Sequence, residues 1–192
     1  MAVDTEGVAT GGCGPMRAME TDARGRLLDG ALDFVRAASG LAAVRRIAIV
    51  GSILRADRRD PKDIDLLVSI ADDADLGPLA TLGRRLQGRL QGHDRGADVF
   101  LADEHGRCLD RTCVWKRCAP GVRASCDALH CGRRRYLDDD LTAVRLAPGL
   151  VATPPLEVWP EIVRRCRPPA DVEDMLSRLH GRADGRAPRV PS

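Results

Sequence analysis

"GSILRADRRDPKDIDLLVSI" spans residues 51 to 70, and its last eight residues, "DIDLLVSI" (63 to 70), read as a strand rich in branched side chains. Successive side chains on a strand point to opposite faces, so Asp63 and Asp65 share one face and repel each other. No basic residue is interposed between them. A multivalent cation offsets that repulsion, and hard carboxylate oxygens suit Mg²⁺ or Mn²⁺, which completes its shell with water and phosphate. Asp98 opens the apolar run of "ADVFLA" (97 to 102) and can add a third carboxylate from a neighbouring strand. Three acids from two strands are able to hold the two metal ions used in in-line phosphoryl or nucleotidyl transfer.

Upstream, "RRIAIV" (45 to 50) reads as a buried strand that ends at Gly51. Gly51 permits a sharp turn and a close backbone approach to phosphate, and Ser52 can donate both its N–H and its hydroxyl. Arg55 can add a fork of donors to the same polyphosphate. Asp57 and Asp60 alternate with Arg58, Arg59 and Lys62, which reads as a solvated loop rather than a ligand set.

The remaining pattern surrounds this stretch. From Thr21, the residues Leu27, Leu28, Ala31, Leu32, Val35 and Ala38 follow helical spacing up to Gly40. A second helix is expected over residues 75 to 91, with Leu76, Leu79, Gly83, Leu86 and Leu90 on its inner face. The order helix, strand, strand, helix, strand predicts an α/β or α+β fold, a small mixed sheet flanked by helices. Its expected range is residues 21 to 104, behind a disordered tail at 1 to 20. A Cys-rich, basic module at 105 to 136 follows, then a Pro-interrupted extended segment with a terminal helix at 137 to 182, and a second tail at 183 to 192.

Composition bounds the function. With 44% apolar residues the chain is globular, while 3% aromatics argue against a stacking platform for single-stranded nucleic acid. A formal net charge of +2 does not by itself imply a polyanion partner. Residues 1 to 20 lack a signal-peptide pattern, and no stretch approaches the roughly 18 apolar residues of a membrane span. The expectation is therefore a cytoplasmic protein with no membrane partner, whose seven cysteines suggest metal binding or reactivity before disulfides.

A strand ending in Gly51-Ser52, a gap of ten residues, Asp63-Ile64-Asp65-Leu66 opening the next strand, and Asp98 on a third resemble the nucleotidyltransferase fold of the DNA polymerase beta superfamily. The likeness covers residues 25 to 103 and is nearest to the small, minimal bacterial members. It implies that Gly51 and Ser52 hold the tail of a nucleoside triphosphate, with Arg55 beside them. It also implies that Asp63 and Asp65 bind both metals, and that Asp98 completes one metal site and assists deprotonation of the attacking hydroxyl. One departure stands out: small members often read Gly-Ser-Arg-x-Arg-Gly, whereas this chain reads Gly51-Ser52-Ile53-Leu54-Arg55-Ala56 and keeps only the second Arg.

"CVWKRCAPGVRASCDALHC" (113 to 131) contains Cys113-x4-Cys118-x7-Cys126-x4-Cys131. Two thiolate pairs at matched spacing are able to close a structural Zn²⁺ site, with Cys108 and His130 as substitutes for one ligand. The competing interpretation is free, partly buried thiols acting as small hydrophobes. Arg111, Lys116, Arg117, Arg123, Arg133, Arg134 and Arg135 surround the cluster as a phosphate-binding patch or a solvated face.

Two functions follow as expectations. The first is metal-dependent transfer of a nucleoside monophosphate from a triphosphate to an acceptor hydroxyl, with release of pyrophosphate; the acceptor is a small molecule, a protein or a nucleic acid. The second is a nucleic-acid-binding or regulatory module, in which a zinc site works beside an inactive nucleotidyltransferase-like scaffold.

Overall fold

A computed structural model describes residues 14–113, 134–138 and 153–181, with side chains from residue 23 onward. Its elements are α1 (Gly14–Ala38), β1 (Val44–Val50), β2 (Asp63–Ile70), α2 (Gly77–Gln91), β3 (Gly96–Ala102), β4 (Cys108–Thr112), β5 (Leu137–Asp138), β6 (Leu156–Trp159) and α3 (Ala170–His180). The strands form one mixed sheet in the order β5-β4-β3-β2-β1-β6. Only β2 and β3 run parallel, as the α2 crossover between them allows; the other neighbours are antiparallel.

The alternation within β2 determines what each face does. Ile64, Leu66, Val68 and Ile70 are fully buried, and Ala97, Val99 and Leu101 of β3 with Ile47 and Ile49 of β1 extend the same apolar floor. Each of the larger side chains, the Ile, Leu and Val residues, contributes about 1.5–3 kcal/mol when removed from water. Leu27, Leu28, Ala31, Leu32 and Val35 of α1 and Leu79, Leu86 and Leu90 of α2 pack onto that floor. Val172, Met175 and Leu176 bring α3 into the same core beside α1. Gly30 lets the first two helices approach closely, because a Cβ there would lie 2.8 Å from Leu86 Cδ1. The opposite face of β2 carries Asp63, exposed, and Asp65, Leu67 and Ser69, partly exposed.

The expected elements from residue 21 to 104 are present, and three differences are informative. Helix α1 begins at Gly14, so residues 14–20 do not belong to a disordered tail. Met, Ala, Arg and Glu favour helix without any apolar periodicity to announce it. Glu104 is not a structural boundary: β4 pairs with β3 and β5 pairs with β4, so the described parts of the Cys-rich stretch are the edge of the main sheet. The Pro-interrupted segment likewise contributes β6, which pairs with β1, because Leu156 and Val158 are apolar and alternate correctly for burial. Among the described residues, no helix is long and apolar enough to cross a membrane.

Candidate active site

The parallel register of β2 and β3 sets Asp65 opposite Asp98 and Asp63 opposite Gly96. Neighbouring strands lie about 4.8 Å apart, and partners in register point to the same face, so the three acids expected from sequence form one row. Burial pushes the Asp65 carboxyl up to about 7, and the negative charges of Asp98 and then Asp63 add to the effect. Burial and Asp98 also raise Asp63, against the opposing pull of Arg95 and Lys62. Among the described residues, neither Asp63 nor Asp65 has a hydrogen-bond or ion-pair partner. Hard carboxylate oxygens without a direct partner suit a divalent cation of the Mg²⁺ class.

Asp98 differs from the other two. Arg111 of β4, partnered in register with Phe100, reaches down the same face and donates from Nη1 to Asp98 Oδ1 at 2.9 Å. Its Nε donates to Asp138 Oδ2 at 3.2 Å, and Asp138 is only 2% exposed. One guanidinium thus bridges the third acid of the row to a buried carboxylate on β5. Among the described residues, no three His, Cys, Asp or Glu side chains are gathered closely enough to form a ready cation cage. Proximity of the backbone positions is in place, and Asp98 is paired with Arg111.

The Gly51 turn leaves the sheet beside this row, since Val50, the last residue of β1, is the register partner of Asp65. Gly51 has φ 83° and ψ −157°, a conformation available essentially to glycine alone. A single 3₁₀ turn, Ser52–Leu54, follows and buries Ile53 and Leu54, which anchors the turn to the core. Arg24 of α1 clamps it from outside, donating to the carbonyls of Ile53 (3.0 Å) and Arg58 (2.8 Å) while its Nε binds Asp171 of α3 at 2.6 Å. Arg55, the expected phosphate ligand, is engaged instead with Asp57 at 2.6 Å on the exposed side of the loop. Asp60 pairs with both Lys62 (3.1 Å) and Arg95 (2.7 Å), as befits a charged loop.

A cavity of about 620 Å³ opens on the other flank of the acid row. Asp63, Asp98 and the exposed Asp94 form part of its wall, and Lys62, Arg95, Arg111, Gln87 and Gln91 also line it.

The proposed zinc ligands Cys118, Cys126 and Cys131, with the substitute His130, lie outside the described residues. Cys113 is buried at 1% exposure, and Arg84 Nη2 donates to its Sγ at 3.4 Å. Cys108 is exposed on β4. Of the basic patch, Arg111 belongs to the acid row and Arg134 donates to the Ala74 carbonyl at 2.7 Å. Arg135 lies over the Tyr136 ring at 5.2 Å; Lys116, Arg117, Arg123 and Arg133 are outside the described residues.

Sequence reasoning did not assign roles to Arg24, Arg95, Arg111 or Asp138 at this site. "CLDRT" (108 to 112) carries no apolar/polar alternation that would have marked a strand and placed Arg111 on the face of the acids. Comparison with protein-family models, with curated proteins and with solved structures finds no significant match. The candidate site therefore rests on its own geometry.

Proposed function

We propose that the protein is a metal-dependent nucleotidyltransferase with the fold of the DNA polymerase beta superfamily. The observation that carries this reading is the row of Asp63, Asp65 and Asp98 on one sheet face, with the glycine-only turn at Gly51 beside it. Asp63 and Asp65 hold the divalent ion, and the Ser52 hydroxyl with the turn's backbone N–H groups receives the triphosphate. In the transfer, the acceptor hydroxyl oxygen bonds to the α-phosphorus while the bond from that phosphorus to the α–β bridging oxygen breaks. Pyrophosphate departs with the electron pair, and the hydroxyl proton passes to the Asp98 carboxylate. When bound, the metal ion supplies charge neutralisation on the triphosphate. Arg111 orients the Asp98 carboxylate at the edge of the row, so release of that ion pair adjusts where the carboxylate points.

Pyrophosphate release from a nucleoside triphosphate with Mg²⁺ or Mn²⁺ tests the reading. Asp63→Asn and Asp65→Asn each lower the rate by about 100-fold or more, on the scale of losing a positioned group in the transition state. Turnover that is unchanged in both variants contradicts it.

One observation favours a second reading. Arg111 pairs with both Asp98 and Asp138, and among the described residues no ready cation cage is formed. A chain in which that pair never opens is a regulatory binder of triphosphates, and it shows saturable nucleotide binding with no pyrophosphate formed.

A further inference from the structure

The acid row has two flanks. The Gly51 turn lies on the β1 side, and the 620 Å³ cavity lies on the side of β3, β4 and the last turns of α2. None of Gly51, Ser52, Ile53, Leu54 or Arg55 lines the cavity, although Asp63 and Asp98 do. We propose that this cavity is the acceptor pocket and that the acceptor is a small polyhydroxylated anion, bearing a phosphate or a carboxylate. The inference rests on the nucleotidyl-transfer reading for the identity of the partner that enters from the opposite flank.

Placement is the first argument. In-line displacement needs the attacking oxygen and the leaving group on opposite sides of the reacting phosphorus. A triphosphate at the Gly51 turn and an acceptor in the cavity meet over Asp63, Asp65 and Asp98 from opposite directions. Size is the second: 620 Å³ falls in the range of about 300–1,000 Å³ that small-molecule sites occupy.

Chemistry is the third. Among the lining residues only Gly96 and Ala97 lack a polar side chain, and none is aromatic, so the wall offers no stacking surface for a base. Gln87 and Gln91 are one helical turn apart on α2, and their amides suit hydroxyl groups, as donors and acceptors both. Lys62 and Arg95 both pair with Asp60, which does not line the cavity. Arg95 Nη1 is shielded from solvent and has no partner among the described residues, a donor left unsatisfied in a side chain that lines the cavity. The acceptor's anionic group binds Lys62 and Arg95 and stays unchanged. Its hydroxyl reaches Asp98, forms the new bond to the α-phosphorus, and gives up its proton there as pyrophosphate leaves.

NMR of the full-length protein reads the pocket directly through the Arg95 Nε–H and the Gln87 and Gln91 side-chain amides. Inorganic phosphate shifts all three, and glycerol 3-phosphate shifts them at a concentration at least 10-fold lower than glycerol does. Glycerate in parallel distinguishes a carboxylate from a phosphate source, and glucosamine supplies the cationic control. Lys62→Gln with Arg95→Gln weakens the glycerol 3-phosphate response at least 10-fold; Gln87→Ala with Gln91→Ala, on the exposed end of α2, gives an independent weakening if the first variant does not fold. Phosphate shifts confined to Gly51 and Ser52, or glucosamine binding as tightly as glycerol 3-phosphate, overturn the inference. Failure of the wild type to form pyrophosphate from any triphosphate overturns the nucleotidyl-transfer reading instead, and the identity of this pocket as an acceptor site with it, while the anion response itself still reports whether the pocket binds an anion.

Discussion

Asp65 of β2 and Asp98 of β3 are register partners on one face of a parallel strand pair, and the Asp98 charge, after burial itself and ahead of Asp63, raises the Asp65 carboxyl. The Asp65 carboxyl titrates at about 7 in the folded chain, against an ordinary value of 3.8. The folded state therefore binds this proton more tightly than the unfolded state, and stability falls as pH rises from about 4 to about 7. Each pH unit in that window is worth about 1.4 kcal/mol at most. Asp65→Asn removes the charge but keeps the shape. Thermal unfolding should show the variant melting above wild type at pH 8, with the difference shrinking toward pH 5; a variant less stable than wild type at pH 8 contradicts the electrostatic account.

The same repulsion gives a metal prediction. A divalent cation displaces the Asp65 proton, so Mg²⁺ raises the melting temperature of the wild type more at pH 8 than at pH 6. Asp65→Asn blunts the Mg²⁺ response at both pH values. Equal Mg²⁺ responses from wild type and variant indicate that the ion binds elsewhere.

Arg111 serves two carboxylates, of which Asp138 is nearly inaccessible to solvent. Removing the guanidinium from a buried ionic group is costly because the carboxylates lose their shared counter-charge. Arg111→Gln is expected to lower the unfolding free energy by about 3 kcal/mol, read as a lower urea midpoint at unchanged slope. Arg111→Lys recovers only part of the loss, since one ammonium does not reproduce a two-pronged fork.

Gly96 sits opposite Asp63, and an ideal Cβ there would fall 2.1 Å from Asp63 Oδ1. The clashing atom is the end of a side chain with freedom to rotate, so Gly96→Ala should displace the carboxylate without unfolding the sheet. We expect a melting temperature within a few degrees of wild type together with weakened Mg²⁺ binding. A variant that keeps full Mg²⁺ affinity argues that Asp63 is not a ligand.

How much of this was legible in the sequence follows from the range of each interaction. The alternation of Asp63-Ile64-Asp65-Leu66 and the apolar runs ending at Val50 and Ala102 are local patterns, and the strands they predict are present within a residue of the expected bounds. The glycine at the turn was equally local, and its φ of 83° explains why that residue type stands there. Arg111, Asp138 and Arg24 reach the site only through sheet order and helix packing. Arg24 binds Asp171, 147 positions away, and no spacing rule reports such a contact. The composition shift at Glu104 was a true feature of the sequence but an unreliable guide to domain limits, because the sheet continues past it through β4, whose buried positions Asp110 and Thr112 are polar, to β5.

The central claim, that the Asp63, Asp65 and Asp98 row performs nucleotidyl transfer, is tested most directly by following which phosphate leaves. With Mg²⁺, the wild type should convert γ-labelled nucleoside triphosphate into labelled pyrophosphate and retain the α-label on the acceptor, and Asp65→Asn should do neither. Release of the γ-label as orthophosphate, or α-label transfer that survives Asp65→Asn, would contradict the account.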